Sequence, residues 1–453
     1  MSTGHAPGHR RSLLRQALRY SFMEGAFSVV MFGLLQTFAV PALMALGAAE
    51  VGVANLTGMA ALSAGLIQLA APRLASLVPS RRVLVVWCVM TQAGACVVFA
   101  GVGFLPAQVA IPAAVLAYAF YGMSGSVANG PWASWMSDLI PESIRGRYFA
   151  QRGLWLGLVH GSIVLGTGYV LHLIRWGGAA APWWAFAGVF GVAAASRVIS
   201  GLCLRKQYEP KPAEPTPAHD FTYWQFLTKV KESNFARFVV AFAFLNAAAF
   251  FAGAFSAVYV LRDLRYGYGT LAFFSIVSLA SSLFFVRFWG RISDRYGNRF
   301  VLRVCALCIV PIPLIYGTST SIGALAAAHA IGGAVWSGFG LSGFNYVMEA
   351  TTPKRRVRCF AYMNVTVGVL AAAAAIAGGE IALRLPVVIQ YRLQTLFLVS
   401  AVLRIPPALL LAFGIRQLSR KPEVGALQLF YELPAVRPTV WLLRSLARPF
   451  RRI

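Results

Sequence analysis

Acidic side chains are scarce in this 453-residue chain: 14 Asp and Glu stand against 40 Lys and Arg, and charged residues of both signs make up only 12%. A soluble chain would carry about a quarter charged residues, so an exterior wetted on all sides is excluded. Cysteine is also sparse. The six (Cys88, Cys96, Cys203, Cys305, Cys308 and Cys359) lie in or beside apolar segments, which points to reduced, packing thiols and not to a disulfide framework. Cys305 and Cys308 form a C-x-x-C, but without a second pair or clustered His nearby neither a metal site nor a cofactor is expected. There is no P-loop, which removes an ATP-driven pump, and neither H-E-x-x-H nor G-x-S-x-G is in place, so the chain is not expected to be an enzyme. The 42 Gly and 23 Pro follow no collagen or linker period and are spread through apolar stretches, where transmembrane helices tolerate them.

What the chain does have is apolar length. Apolar residues make up 58% and mean hydropathy is +0.67. With a spanning window of about twenty apolar residues, the sequence predicts twelve transmembrane helices near 20–45, 52–72, 83–104, 107–131, 153–174, 182–204, 238–260, 268–288, 300–318, 321–344, 360–383 and 394–415. The expected organisation is a lead-in over 1–19, a six-helix bundle over 20–204, a central loop over 205–237, a second bundle over 238–415 and a basic tail over 416–453. The net charge of +26 would suggest nucleic acid in a soluble protein. Here position decides against it. Loops after even-numbered segments, with the termini and the segment ends beside them, carry 33 of the 40 Lys and Arg, and loops after odd-numbered segments carry five. By the positive-inside rule both termini and the central loop are cytoplasmic. The central loop holds the stiff spacer Glu209-Pro210-Lys211-Pro212-Ala213-Glu214-Pro215-Thr216-Pro217 and then an amphipathic stretch around Trp224-Gln225-Phe226.

The two halves repeat. Leu46-x5-Gly52-x3-Leu56 matches Leu261-x5-Gly267-x3-Leu271, and Pro72 to Arg81 aligns loosely with Gly290 to Arg299. Asp138-x6-Arg145-x-Arg147-x-Phe149-Ala150 matches Glu349-x6-Arg356-x-Arg358-x-Phe360-Ala361, and Phe190-x6-Arg197 matches Phe397-x6-Arg404. All four pairs occupy equivalent places in the two bundles, the duplicated plan of many secondary transporters.

Between the eighth and ninth segments, Gly290-Arg291-Ile292-Ser293-Asp294-Arg295-Tyr296-Gly297-Asn298-Arg299 resembles the G-x-x-x-D-R-x-G-x-R loop of the major facilitator superfamily. Trp132 to Arg147, through Trp135, Asp138, Pro141, Arg145 and Gly146, looks like the fourth-to-fifth-helix loop of a bacterial branch of it. The resemblance implies an all-α integral membrane fold of two pseudo-symmetric six-helix bundles in a bacterial inner membrane. In the first half the corresponding loop, Pro72 to Arg82, lacks the leading Gly and the Asp. The resemblance also implies a state-dependent latch. Asp294 faces the N-terminal end of the eleventh segment, where exposed N–H groups and the helix dipole favour an anion and Arg356 and Arg358 wait; Arg295, Gly297 and Arg299 complete the loop, and Asp138, Arg145 and Arg147 form its counterpart.

Intramembrane polar residues supply the candidate solute or proton site. Arg197 and Arg404 sit within segments, where an Arg costs about 2.5–3.5 kcal/mol on insertion scales. Arg197 lies near an end and reads chiefly as structural support; Arg404 reads equally as a solute contact or a structural pair. Glu24 is either a proton or solute-cation site or an interfacial acid paired with Arg15 or Arg19. Gln36, Gln68, Gln92, Asn129, His160, Asn246, His329 and Asn364 could line a cavity or bond helix to helix; His160, titrating near neutrality, has the best claim to proton coupling. The leading function is a monomeric secondary active transporter of a small solute working by alternating access, with protons as a candidate coupling ion. The alternatives are a non-transporting scaffold or sensor of the same fold, and a lipid flippase.

Overall fold

The computed structural model describes residues 7–78, 80–174, 181–210, 223–228 and 233–418. Among them twelve helices are long and apolar enough to cross a membrane, one for each span expected. The first bundle holds α1 (Pro7–Ala45), α2 (Glu50–Leu77), α3 (Arg81–Gly101), α4 (Ala107–Leu139), α5 (Glu142–Ile174) and α6 (Trp183–Lys206). A short helix, α7 (Tyr223–Thr228), precedes the second bundle. There α8 (Asn234–Gly253) continues through α9 (Phe255–Val258), followed by α10 (Tyr268–Tyr296), α11 (Asn298–Ile309), α12 (Ile312–Thr318), α13 (Ile322–Ala350), α14 (Pro353–Arg384) and α15 (Arg392–Leu409). α11 and α12 form one crossing, interrupted at Pro311 and Pro313 because proline has no N–H to continue the ladder.

Several helices outrun the apolar segments at the end that carries both chain ends. α1 begins at Pro7, continuous with the expected lead-in; α4 runs to Leu139 and α10 to Tyr296. Each half packs on itself, α1 against α5 and α6, α2 against α4, α3 against α4 and α6, and in the second half α8 against α14 and α15 and α10 against α13. Two seams join the halves: α2 crosses α14, and α5 crosses α10.

The apolar cores differ at the two ends. Near the chain-terminus end each half keeps its own, around Trp135, Met136 and Leu204 in the first and Phe238, Trp289 and Tyr346 in the second. At the opposite end one core runs through both, joining Phe38, Leu43 and Phe186 to Phe255, Tyr259 and Phe397. The central loop is docked where described. Glu209 caps α3, accepting from Ser80 Oγ at 2.5 Å and from the Arg82 N–H at 3.3 Å, and Phe226 of α7 is buried beside Tyr362 while Trp224 is exposed. Most of the Pro-rich spacer (211–217) and the tail beyond 418 lie outside the described residues.

Candidate functional site

The strongest concentration of buried polar groups lies within the first half. Glu24 is eight residues into the span that begins at Gln16, so α1 carries it about 12 Å inward at 1.5 Å per residue. It is buried, and its partner is Arg152 of α5, whose Nη2 donates to the carboxylate at 2.9 Å. Arg152 also donates from Nε to the Ser21 carbonyl at 3.2 Å and lies over the Trp132 ring, 5.3 Å from its centroid. The sequence expectation paired Glu24 with Arg15 or Arg19. Arg19 is exposed and the Arg15 side chain lies outside the described residues, whereas α5 crosses α1 where Gly25, lacking a Cβ, leaves room for the Arg152 guanidinium.

Arg197 of α6 completes the cluster. It is buried, donating from Nε to Gln92 Oε1 at 2.8 Å and from Nη1 to Ser28 Oγ at 2.6 Å and Ser200 Oγ at 3.2 Å, and it lies over the Phe32 ring at 5.4 Å. It does not snorkel. Three helices meet on this guanidinium, and every acceptor that holds it is neutral. A cavity of about 480 Å³ opens against these groups, lined by Glu24, Arg152, Arg197, Gln92, Asn129 and Ser126 and by the apolar Phe32, Val89, Trp132 and Leu156.

The other candidates do not gather there. Gln36 donates to Tyr121 Oη at 3.0 Å, Gln68 to Ser126 Oγ at 2.9 Å, and Asn246 to the Phe242 carbonyl of its own helix at 2.8 Å. His160 is half-buried and hydrogen-bonds the Val29 carbonyl across α1 and α5. His329 meets Tyr316 Oη at 2.6 Å and stacks on Phe274. Asn364 stands at the crossing of α14 with α2, its backbone carbonyl facing Gly65. Arg404 is buried and donates to the Ile309 carbonyl at 3.0 Å. That carbonyl is free because Pro313, four residues on, has no N–H.

At the chain-terminus end Asp138 and Glu349, which the repeat pairs, each have a partner in their own half. In the first half Arg81 Nη1 bridges Asp138 Oδ2 at 2.6 Å, and in the second Asn298 Nδ2 donates to Glu349 Oε1 at 2.7 Å. Gly297 turns the chain with φ 90°. Arg295 lies over its neighbour Tyr296, and Arg356 Nη2 reaches the Met348 carbonyl at 3.3 Å; a Cβ added at Gly290 would come 3.9 Å from Leu341. Arg299 and Arg358 both have interaction partners. Asp294 is exposed and makes no ion pair among the described residues. The expectation set Asp294 against the start of α14, but α10 runs alongside α5 while α14 runs alongside α2. The first-half helix beside α10 is therefore α5, and the side chains of Arg145 and Arg147 near its start lie outside the described residues.

At the opposite end the halves are tied by charge. Arg262 Nη1, just beyond α9, meets Glu50 Oε1 of α2 at 2.7 Å and its Nε meets Asp263 Oδ1 at 2.9 Å. The Ala181 N–H donates to Tyr268 Oη at 3.1 Å. Sequence reasoning missed both Arg152 and the Glu50–Arg262 pair, since each Arg sits near a segment end and reads as a topology signal. A lone intramembrane acid such as Glu24, which needs a cation, was the available clue to the first.

Among curated proteins none matches by sequence. Solved structures match in fold. The nucleoside transporter NupG is 14% identical with a TM-score of 0.66, covering 88% of this chain and 98% of its own. A D-xylose-proton symporter is 13% identical with a TM-score of 0.66, over 91% and 99%. A bacterial homolog of the human lysosomal transporter Spinster, in an inward-facing and occupied conformation, is 14% identical with a TM-score of 0.63, over 90% and 97%. The sequence itself matches the Major Facilitator Superfamily over residues 22–376, and with twelve membrane-capable helices on that plan the chain belongs to this superfamily of membrane transporters.

Proposed function

We propose that this transporter moves a small solute by alternating access, as a monomer in a bacterial inner membrane, with both termini cytoplasmic and protons as the coupling ion. The observation that carries the reading is the asymmetry of the cores: one shared core at the opposite end, two separate ones at the chain-terminus end. Two rigid bundles joined this way need only rock about their seams to exchange which end is closed. The orientation rests on the distribution of basic residues, which makes this an inward-open conformer.

In the other conformer the Gly290–Arg299 loop closes on the start of α5. Its latch is open here, as the exposure of Asp294 supports. Asp294→Asn then weakens only the closed form, by about 0.3–2 kcal/mol, and raises the inward-open population. Coupling falls to Glu24, because protonating it breaks the ion pair that ties α1 to α5. The groups facing Glu24 are Arg152 and Tyr148 from α5 and Arg197 and Cys203 from α6.

The test is the reactivity of Asn129→Cys, an exposed position lining the cavity, toward an impermeant maleimide applied to either face of the membrane. Labelling from both faces is expected, with Asp294→Asn favouring the cytoplasmic one. The ratio of the rates from the two faces, in which the thiol's own titration cancels, should depend on pH in the parent and lose that dependence in Glu24→Gln. Reaction from one face alone under every condition would refute alternation.

A further inference from the structure

We infer that the cavity takes a small monovalent organic anion, anchored on Arg197 and Arg152, with Glu24 as the internal counter-charge that the anion competes against. The inference rests on reading this cavity as the solute site. Its lining carries two guanidinium groups and one carboxylate, so the site holds one uncompensated positive charge. Among the described residues the only acid on the lining, Glu24, is committed to Arg152, at 2.9 Å. Arg197 is held by the amide oxygen of Gln92 and the hydroxyls of Ser28 and Ser200. These fix its direction and leave its charge intact. Glu24 also faces Arg197 without hydrogen-bonding it, so one carboxylate serves two buried guanidinium groups; the desolvation penalty left over is one that an incoming anion offsets and a neutral solute does not.

The same account ranks the alternatives. A cation would add to the surplus charge and a dianion would overshoot it; a monoanion balances it. The body of the solute follows from the walls. Phe32 and Trp132 present ring faces already occupied on one side by Arg197 and Arg152, and Val89 and Leu156 close the apolar part of a space that suits an organic molecule better than a bare inorganic ion. Arg197 thus does more than join α1, α3 and α6. A purely structural hub needs no apolar chamber of about 480 Å³ against its charged face.

Three probes of nearly one shape and different charge test this: benzoate, benzamide and benzamidine, added at matched ionic strength to the purified full-length protein. Thermal stability and the labelling rate of Asn129→Cys are the readouts. Benzoate should raise the melting temperature and slow labelling, and the amide and the amidine should do neither. Arg197→Gln should weaken the benzoate effect about tenfold or more, and Glu24→Gln, which removes the competing charge, should strengthen it about tenfold. If Arg197→Gln does not fold, Arg152→Gln takes its place with the same expectation. Benzoate acting no better than benzamide, benzamidine acting best, or both Arg variants keeping the full benzoate effect would each overturn the assignment. Two-sided labelling is measured without any probe, so it stands or falls separately: if it persists while benzoate fails, the substrate class alone is wrong.

Discussion

The crossing of α2 and α14 sets the most demanding test of the rocking reading. A Cβ added at Gly368 would lie 2.5 Å from the Ala61 carbonyl oxygen and 2.9 Å from Cα of Gly65; one added at Gly65 would lie 3.0 Å from both the Asn364 carbonyl oxygen and Cα of Gly368. These obstacles are backbone, which cannot swing aside as a side-chain end can, so Gly368→Ala must push the two helices apart. Overpacking of this kind costs about 1–3 kcal/mol, and because about 1.4 kcal/mol is tenfold, the conformer with this seam closed should lose roughly fivefold to over a hundredfold in population. Alanine also gains up to about 1 kcal/mol of helix propensity over glycine, but α14 is helical in every conformer, so that gain cancels from the ratio. The assay is again the two-face labelling of Asn129→Cys, with Cys308, the exposed native thiol, replaced by Ser. Labelling from the chain-terminus face should fall and from the opposite face rise. Gly188→Ala on α6, where nothing lies within 4 Å of the added methyl, is the control and should change neither. Unchanged rates in Gly368→Ala at normal expression would refute the idea that this crossing sets the conformer, and an equal shift in the control would trace the effect to helix propensity.

Glu50→Gln removes the charge from the pair with Arg262, whose side chain is 45% exposed; at about 1 kcal/mol or less, the opposite end should open modestly, seen as faster labelling from that face. Gly297→Ala places a Cβ at φ 90° and should lower the melting temperature through about 1–3 kcal/mol of backbone strain. Reporter fusions after residues 215 and 453 should both signal from the cytoplasm, and an external signal from either would overturn the orientation.

The spans were legible because a bilayer demands about twenty apolar residues whatever their neighbours are. Their outer ends were not. Hydropathy registers the membrane, while the helices continue through polar stretches such as Trp132 to Leu139 until a break stops them. Asp138 and Glu349, which the repeat pairs, each hold a polar side chain from the preceding loop region of its own half, though Arg81 and Asn298 are not themselves aligned positions. Partnership between elements was the hidden part. Nothing local distinguishes Arg152, which holds Glu24, from a topogenic arginine, and nothing in the 290–299 loop says that α10 lies beside α5 and not beside α14. Arg404 likewise binds a carbonyl freed by a proline on another helix, Pro313, which its own segment does not announce.

The core shared by the two halves has an electrical consequence. An energised membrane exerts about 2.3 kcal/mol on each elementary charge per 100 mV, and a continuous wet path beside the cavity would dissipate that field as an ion leak. Phe38, Phe186, Phe255 and Tyr259 are buried almost completely, and with Leu43 and Phe397 they put a mainly apolar layer between the cavity and the far face, with the Tyr259 hydroxyl donated to the Ser319 carbonyl. The layer behaves as a dielectric plug. If the halves rock as proposed, each cycle dismantles it only after an equivalent seal has formed at the chain-terminus end, and a substitution that loosens it, such as Phe255→Ala, is expected to raise ion leak before it unfolds the protein.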